Sequence, residues 1–153
     1  MKIADLISKL DYHFNDIRGE AVTDPEVIRS LLHTDIKEIY NDSRKVKEGG
    51  LFFCIKGEKV DGHTYIPDVL NKGARALVVE QDVDISDCVR GEAPVVIRVH
   101  KTRYAMAWIS AAWYGNPASR MKIIGITGTK VSSKYFLNLL IISSTFKFAC
   151  SIF

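Results

Sequence analysis

The stretch Asn41–Pro67, NDSRKVKEGGLFFCIKGEKVDGHTYIP, decides how the rest of the chain is read. At its centre, Leu51-Phe52-Phe53-Cys54-Ile55 is a short apolar run rich in β-formers. Gly49-Gly50 precede it, and Gly57 and Asp61-Gly62 follow it. A short apolar run bounded by glycines predicts a buried strand. Polar groups gather at both of its ends: Asp42-Ser43-Arg44 before, Lys56-Gly57-Glu58-Lys59 and Asp61-Gly62-His63 after. Loops held at the ends of a rigid strand are where binding residues collect, and these suit an anionic, sugar-like ligand. The planar fork of Arg44 fits a phosphate, and Ser43 can donate a hydrogen bond beside it. The competing structural reading is an Asx-type turn at Asp42-Ser43, with Arg44 a surface charge.

Working outward, Ile3, Leu6, Ile7 and Leu10 predict a short amphipathic helix over 3–10. Signals over 16–33 are mixed and read as loop with short strand or helix pieces. Ile36 and Ile39 suggest a strand over 35–40 that runs into the Asp-Ser-Arg corner. Residues 65–72 read as a helix, with Pro67 in its first turn and Gly73 at its end. Ala76–Glu80 and Val95–Val99 are further strand candidates. Thr102 is expected to cap a helix running to Tyr114, with Ala105, Trp108, Ile109, Ala112 and Trp113 on one face. Gly115-Asn116-Pro117 ends that helix. Strands alternating with helices predict an α/β fold, a small sheet flanked by helices. The turn at 115–120 is the expected boundary, because a fresh strand, 121–126, starts after it. The domains are then 1–118 and 119–153.

Composition narrows the function classes. The 153 residues are 47% hydrophobic and 25% charged, with a formal net charge of +3 and both signs interspersed. No helix or tail carries a dense run of Lys and Arg, which argues against a nucleic-acid partner. Cys54, Cys88 and Cys150 form no metal-binding spacing, and Cys54 reads as a buried free thiol, as suits a reducing cytoplasm. The acidic loop with Asp82, Asp84, Asp87 and Glu92 lacks the glycine and glutamate of a calcium loop and reads as solvated surface. His13, His33 and His100 are scattered. His63 is either a supporting polar group behind the loop or exposed. No catalytic carboxylate pair and no metal site stand out. The N-terminus carries acids and lacks the long apolar core of a signal peptide. Residues 135–153 are apolar, but serines dilute them and their length is marginal for a membrane span. They are read as a core segment, so no membrane partner is expected.

Several motifs, spaced in order along nearly the whole chain, resemble one known family. Asp42–Ile66, Ala76–Glu80, Ala112-Trp-Tyr-Gly-Asn-Pro117 and Ile123-Ile-Gly-Ile-Thr-Gly-Thr129 are similar to the N-terminal domain of Mur ligases, most of all the MurE type. That resemblance implies an ATP-dependent amide ligase of the cytoplasm that adds the third amino acid to the peptidoglycan precursor UDP-N-acetylmuramoyl-dipeptide. It implies ATP and Mg²⁺ as cofactors of the intact enzyme, the UDP-N-acetylmuramoyl-peptide as small-molecule partner, and a monomer. It further implies that Asn41, Asp42, Ser43 and Arg44, with Glu58-Lys59-Val60 and His63, form the uracil and diphosphate site. The tripeptide departs from the His-Gln-Ala of some members, a change that backbone contacts survive.

The resemblance breaks at the ATP-binding loop. Gly125, Thr127, Gly128, Thr129 and Lys130 begin as a phosphate-binding loop does, with glycines that let backbone N–H groups converge on an anion. The pattern should continue Gly-Lys-Thr/Ser, the lysine neutralising phosphate charge and the hydroxyl holding Mg²⁺. Here Val131-Ser132-Ser133-Lys134 follows instead. Residues 119–153 are therefore expected to be the incomplete start of the ATPase domain, truncated or frame-shifted in or just after that loop. The chain alone is expected to bind no ATP and to be inactive. The alternative is a non-catalytic fragment serving as a UDP-sugar-binding module. Lysine and diaminopimelate both stay open as the added amino acid, with Lys130 in the place of a commoner Asn.

Overall fold

The computed structural model describes residues 1–57, 60–123 and 148–149, with 122–123 and 148–149 described through their backbone alone. The chain divides into two compact units, Met1–Trp113 and Tyr114–Phe153. In the first unit the elements run α1 (Ile3–Ile7), β1 (Tyr12–Asn15), α2 (Pro25–Leu32), β2 (Glu38–Tyr40), β3 (Gly50–Phe53), α3 (Ile66–Asn71), β4 (Ala76–Val79), β5 (Val95–Val99) and α4 (Thr102–Trp113). One sheet forms in the order β1-β5-β4-β3-β2. Strands β2 to β5 are parallel, and β1 closes the far edge antiparallel to β5.

The apolar runs that mark β3, β4 and β5 are continuous because both faces of the sheet are covered. Side chains alternate between the faces at period two. Leu51, Phe53, Ala76, Val78, Val95 and Ile97 belong to one core, which also takes Ile3, Leu6 and Ile7 of α1 and Ala105 and Ile109 of α4. Phe52, Leu77, Val79 and Val96 belong to the other, with Ile66 and Val69 of α3. This is the α/β fold with a small flanked sheet that the alternating pattern predicts.

Several details differ from the expectations. The first helix stops at Ile7, and β1 follows in a stretch where no strand is anticipated. Within 16–33 a helix forms over Pro25–Leu32, started by Asp24, whose Oδ1 accepts the Glu26 N–H at 2.9 Å. The strand expected over 35–40 is confined to Glu38–Tyr40, and β3 ends at Phe53, two residues early. Thr102 does not cap α4. It is the first residue of the helix and fully buried, and its backbone N–H donates to Glu80 Oε2 at 3.0 Å. A carboxylate reaching across from the end of β4 meets the positive end of the helix dipole better than a short buried hydroxyl does. The acidic loop is also more than solvated surface. Asp82 accepts from Asn15 Nδ2 at 3.0 Å and Arg98 Nε at 3.1 Å, and Asp84 Oδ1 accepts from the Ser86 N–H at 3.0 Å and the Ser86 hydroxyl at 2.6 Å.

In the second unit Gly115 and Asn116 adopt left-handed backbone (φ +72° and +51°) ahead of a 3-10 turn over Pro117–Arg120. A two-residue strand β6 (Lys122–Ile123) pairs in parallel with β7 (Phe148–Ala149). The rest of the strand expected over 121–126, the ATP-loop positions Gly125, Thr127, Gly128, Thr129 and Lys130, and most of the apolar stretch 135–153 lie outside the described residues. Among the described residues no helix is long and apolar enough to cross a membrane.

Candidate functional site

In open parallel sheets the crevice beyond the carboxyl ends of the strands is where ligands bind. A cavity of about 450 Å³ opens there, at the ends of β2 and β3. Asn41, Asp42, Ser43, Arg44 and Val60 all line it, so five of the expected residues come together. Phe52, Phe53 and Ile55 contribute the apolar lining, and Gly62 and Tyr65 complete it. Glu58 and Lys59 lie outside the described residues. His63 does not line the cavity.

The first wall is a 3-10 turn over Ser43–Lys45 started by Asp42. Asp42 Oδ1 accepts the Arg44 backbone N–H at 3.0 Å, which is the Asx-type turn of the structural reading. The same carboxylate then takes the Arg44 guanidinium at two points, Nε to Oδ1 at 2.9 Å and Nη2 to Oδ2 at 2.8 Å. The Arg44 side chain, through hydrogen bonds, holds the Asp42 carboxyl down at about 2, and Asp42 in turn raises Arg44. Half of the arginine fork is thus taken by its own neighbour, and the pair is locally neutral. Ser43 is pinned from behind: Lys72 Nζ, which also pairs with Asp68, donates to the Ser43 carbonyl at 2.9 Å. Ser43 itself is among the residues that line the cavity.

The second wall is built by the same device with a different outcome. Asp61 starts a 3-10 turn over Gly62–Tyr65, its Oδ1 accepting the His63 N–H at 3.0 Å and lying 2.5 Å from His63 Nδ1. The His63 ring is buried, and its Nε2 receives the Glu80 backbone N–H at 3.4 Å. An accepting Nε2 assigns the proton to Nδ1, which donates to Asp61. The backbone N–H and then the ring of His63 hold the Asp61 carboxyl below its ordinary range. Of the two readings of His63 the exposed one is therefore excluded: the ring ties the loop to the end of β4. Gly62 is required where it sits, since a Cβ there would lie 2.6 Å from Ile55 N and 2.7 Å from Ile55 O.

Cys54 at the exit of β3 is buried, and burial pushes its thiol up to about 12, so it is no nucleophile for this site. A larger hollow, about 670 Å³, lies at the opposite, amino ends of the strands. Its charges largely answer one another, Lys37 with Glu48 and Arg75 with Glu92. The corner at β2 and β3 is the better candidate, because it offers a polar wall facing an apolar one.

The family profile described as Mur ligase family, catalytic domain, matches residues 35–114, just over half of the chain. The chain is 40% identical over 116 residues to the UDP-N-acetylmuramoyl-L-alanyl-D-glutamate--2,6-diaminopimelate ligase of Clostridium perfringens, covering 74% of this chain and 23% of that enzyme. It is 48% identical over 95 residues to the enzyme of the same name from Bacillus licheniformis, 62% of this chain and 18% of the relative. Among solved structures, a crystal structure of MurF from Acinetobacter baumannii superposes with a TM-score of 0.62 at 22% identity, over 94% of this chain and 27% of that one, and so shares the fold. The chain spans about a quarter of the length of these relatives. By the span of the profile match and the order of the motifs within it, the chain belongs to the Mur ligase family.

Proposed function

We propose that residues 1–118 are the UDP-N-acetylmuramoyl-peptide-binding part of a MurE-type ligase, which adds the third amino acid to the peptidoglycan precursor. The observation that carries the reading is 40% identity, over three quarters of the chain, to an enzyme whose name specifies UDP-N-acetylmuramoyl-L-alanyl-D-glutamate as substrate. The corner between residues 41–44 and 60–65 supplies what such a ligand needs: a hydroxyl and an amide on one wall and an apolar surface facing them. Diaminopimelate, the amino acid in the relatives' names, is favoured over lysine.

The residues of the ATP loop do not fit the nucleotide. Val131 stands where a glycine should let the backbone curl, and the nearest following lysine, Lys134, is displaced from the position that would meet the β- and γ-phosphates. The chain's own part is therefore to hold and orient the nucleotide sugar. Calorimetric titration with UDP-N-acetylmuramoyl-L-alanyl-D-glutamate should give a Kd of about 0.1–1 mM, and addition of ATP should release no precursor-dependent ADP. Absence of heat at millimolar precursor overturns the binding assignment. ADP release that depends on the precursor overturns the assignment of a non-catalytic role.

A further inference from the structure

We infer that the carboxyl ends of β4 and β5 carry a second ligand site, separate from the corner at β2 and β3, which takes a compact polyphosphate anion.

A cavity of about 400 Å³ opens there, lined by Lys56, Glu80, Gln81, His100, Lys101 and Arg103. The topology gathers these residues from three strand ends. Glu80 and Gln81 follow β4, His100 and Lys101 join β5 to α4, Arg103 lies in the first turn of α4, and Lys56 lies three residues past β3. The permanent charges are three cations against one carboxylate, and that carboxylate is already engaged: Glu80 Oε2 accepts the Thr102 N–H at 3.0 Å. Among the described residues Lys56, Lys101 and Arg103 form no ion pair. Asp61 feels the charge of Lys56, but its carboxylate is held by the N–H and ring of His63. The hollow at the amino ends is the reverse case, with Lys37 on Glu48 and Arg75 on Glu92. Like charges converging on a cleft repel one another, and a cleft of one sign concentrates counter-ions. An anion that enters relieves the repulsion.

The donors indicate which anion. The Arg103 fork can meet two phosphate oxygens at once, and the lysines act as compact point charges. Gln81 adds a neutral N–H donor. Groups of these kinds from separate loops suit an anion with oxygens on several sides better than a single carboxylate. Among the described residues no Phe, Tyr or Trp lines the cavity, so it selects on charge and not on a base.

The test titrates the full isotope-labelled chain with inorganic pyrophosphate at low salt, following amide shifts. Saturating shifts are expected at residues 56, 80–81 and 100–103, with a Kd of about 1 mM that weakens as salt is added. Affinity should fall about tenfold in the double variant Lys101→Gln/Arg103→Gln. It should rise about threefold in Glu80→Gln, which removes the opposing charge and keeps an oxygen for the Thr102 N–H. Lys45→Gln/Lys47→Gln, an equal loss of exposed charge elsewhere, should change nothing. Retained amide dispersion confirms that each variant is folded. No shifts at these residues, or equal losses in the two double variants, overturn the site. A second arm repeats the titration with the corner saturated by UDP-N-acetylmuramoyl-L-alanyl-D-glutamate, where an unchanged pyrophosphate affinity is expected. Displacement of pyrophosphate by the precursor would assign these residues to the precursor's own diphosphate, overturning the separate site and leaving the nucleotide-sugar reading standing.

Discussion

Two Asp-started 3-10 turns stand at the ends of the loops around β3, Ser43–Lys45 and Gly62–Tyr65, and they use one device to different ends. In the first, Asp42 satisfies the turn and then closes on Arg44, an exposed ion pair two residues away. In the second, Asp61 satisfies the turn and then holds a buried histidine, which reaches 17 residues along the chain to Glu80. Glu80 in turn takes the first N–H of α4. The first turn is complete in itself, whereas the second joins the exit of β3, the end of β4 and the start of α4. Exposed pairs contribute little to stability, and a buried, partnered polar group is costly to break. The first turn is therefore free to serve the proposed ligand, and the second holds part of the cavity wall in place.

Substitutions can break this contrast, and the largest effect belongs to the second turn. Gly62→Ala forces a Cβ against the backbone of Ile55 and should lower stability by about 3 kcal/mol, read from the urea midpoint. His63→Ala leaves the Glu80 N–H without its acceptor and the Asp61 carboxylate without its donor, for a loss of about 2 kcal/mol in the same measurement. A midpoint unchanged in His63→Ala would show that the loop does not depend on the ring. Lys72→Met removes the bond to the Ser43 carbonyl and should lose about 1 kcal/mol or less. It should weaken precursor binding more visibly than it weakens the fold.

The smallest effect is confined to acid. The Asp42 carboxyl is held at about 2 against an ordinary 3.8, first by the Arg44 side chain. A depressed carboxylate contributes stability that is complete above its unfolded pKa and is lost as pH falls through the folded one. Asp42→Asn should therefore leave the urea midpoint at pH 7 nearly unmoved and flatten only the decline between about pH 4 and about pH 2. Asp61 is depressed in the same direction by His63. Its Asn variant should flatten the acid limb and also lower the midpoint at neutral pH, because its partner is buried. Equal neutral-pH losses in the two Asn variants would erase the distinction between the turns.

What the sequence made legible follows from how local each contact is. β3, β4 and β5 were readable because burial on both faces leaves uninterrupted apolar runs. β1 was not, since His13 and Asn15 interrupt its apolar character and only its pairing with β5 makes it a strand. α2 was obscured because none of its residues is fully buried, although Asp24-Pro25 is a readable start. At the site, Asp42 and Ser43 announced a turn through chemistry within two residues. Tyr65 was passed over as the first residue of a helix, although an aromatic residue after an Asp-Gly turn was the available signal. Lys72 on Ser43 and Glu80 on Thr102 had no local signal, because those bonds span 29 and 22 residues.

The central claim is that the carboxyl ends of β2 and β3 hold the precursor. It is tested most directly by titrating the isotope-labelled chain with UDP-N-acetylmuramoyl-L-alanyl-D-glutamate and mapping the amide shifts. The account predicts saturating shifts at residues 41–44 and 60–65 with a Kd of about 0.1–1 mM, weakened in Ser43→Ala without loss of the fold. Shifts gathered at the amino ends of the strands, around Lys37, Arg75 and Arg90, or an affinity unchanged in Ser43→Ala, would contradict it.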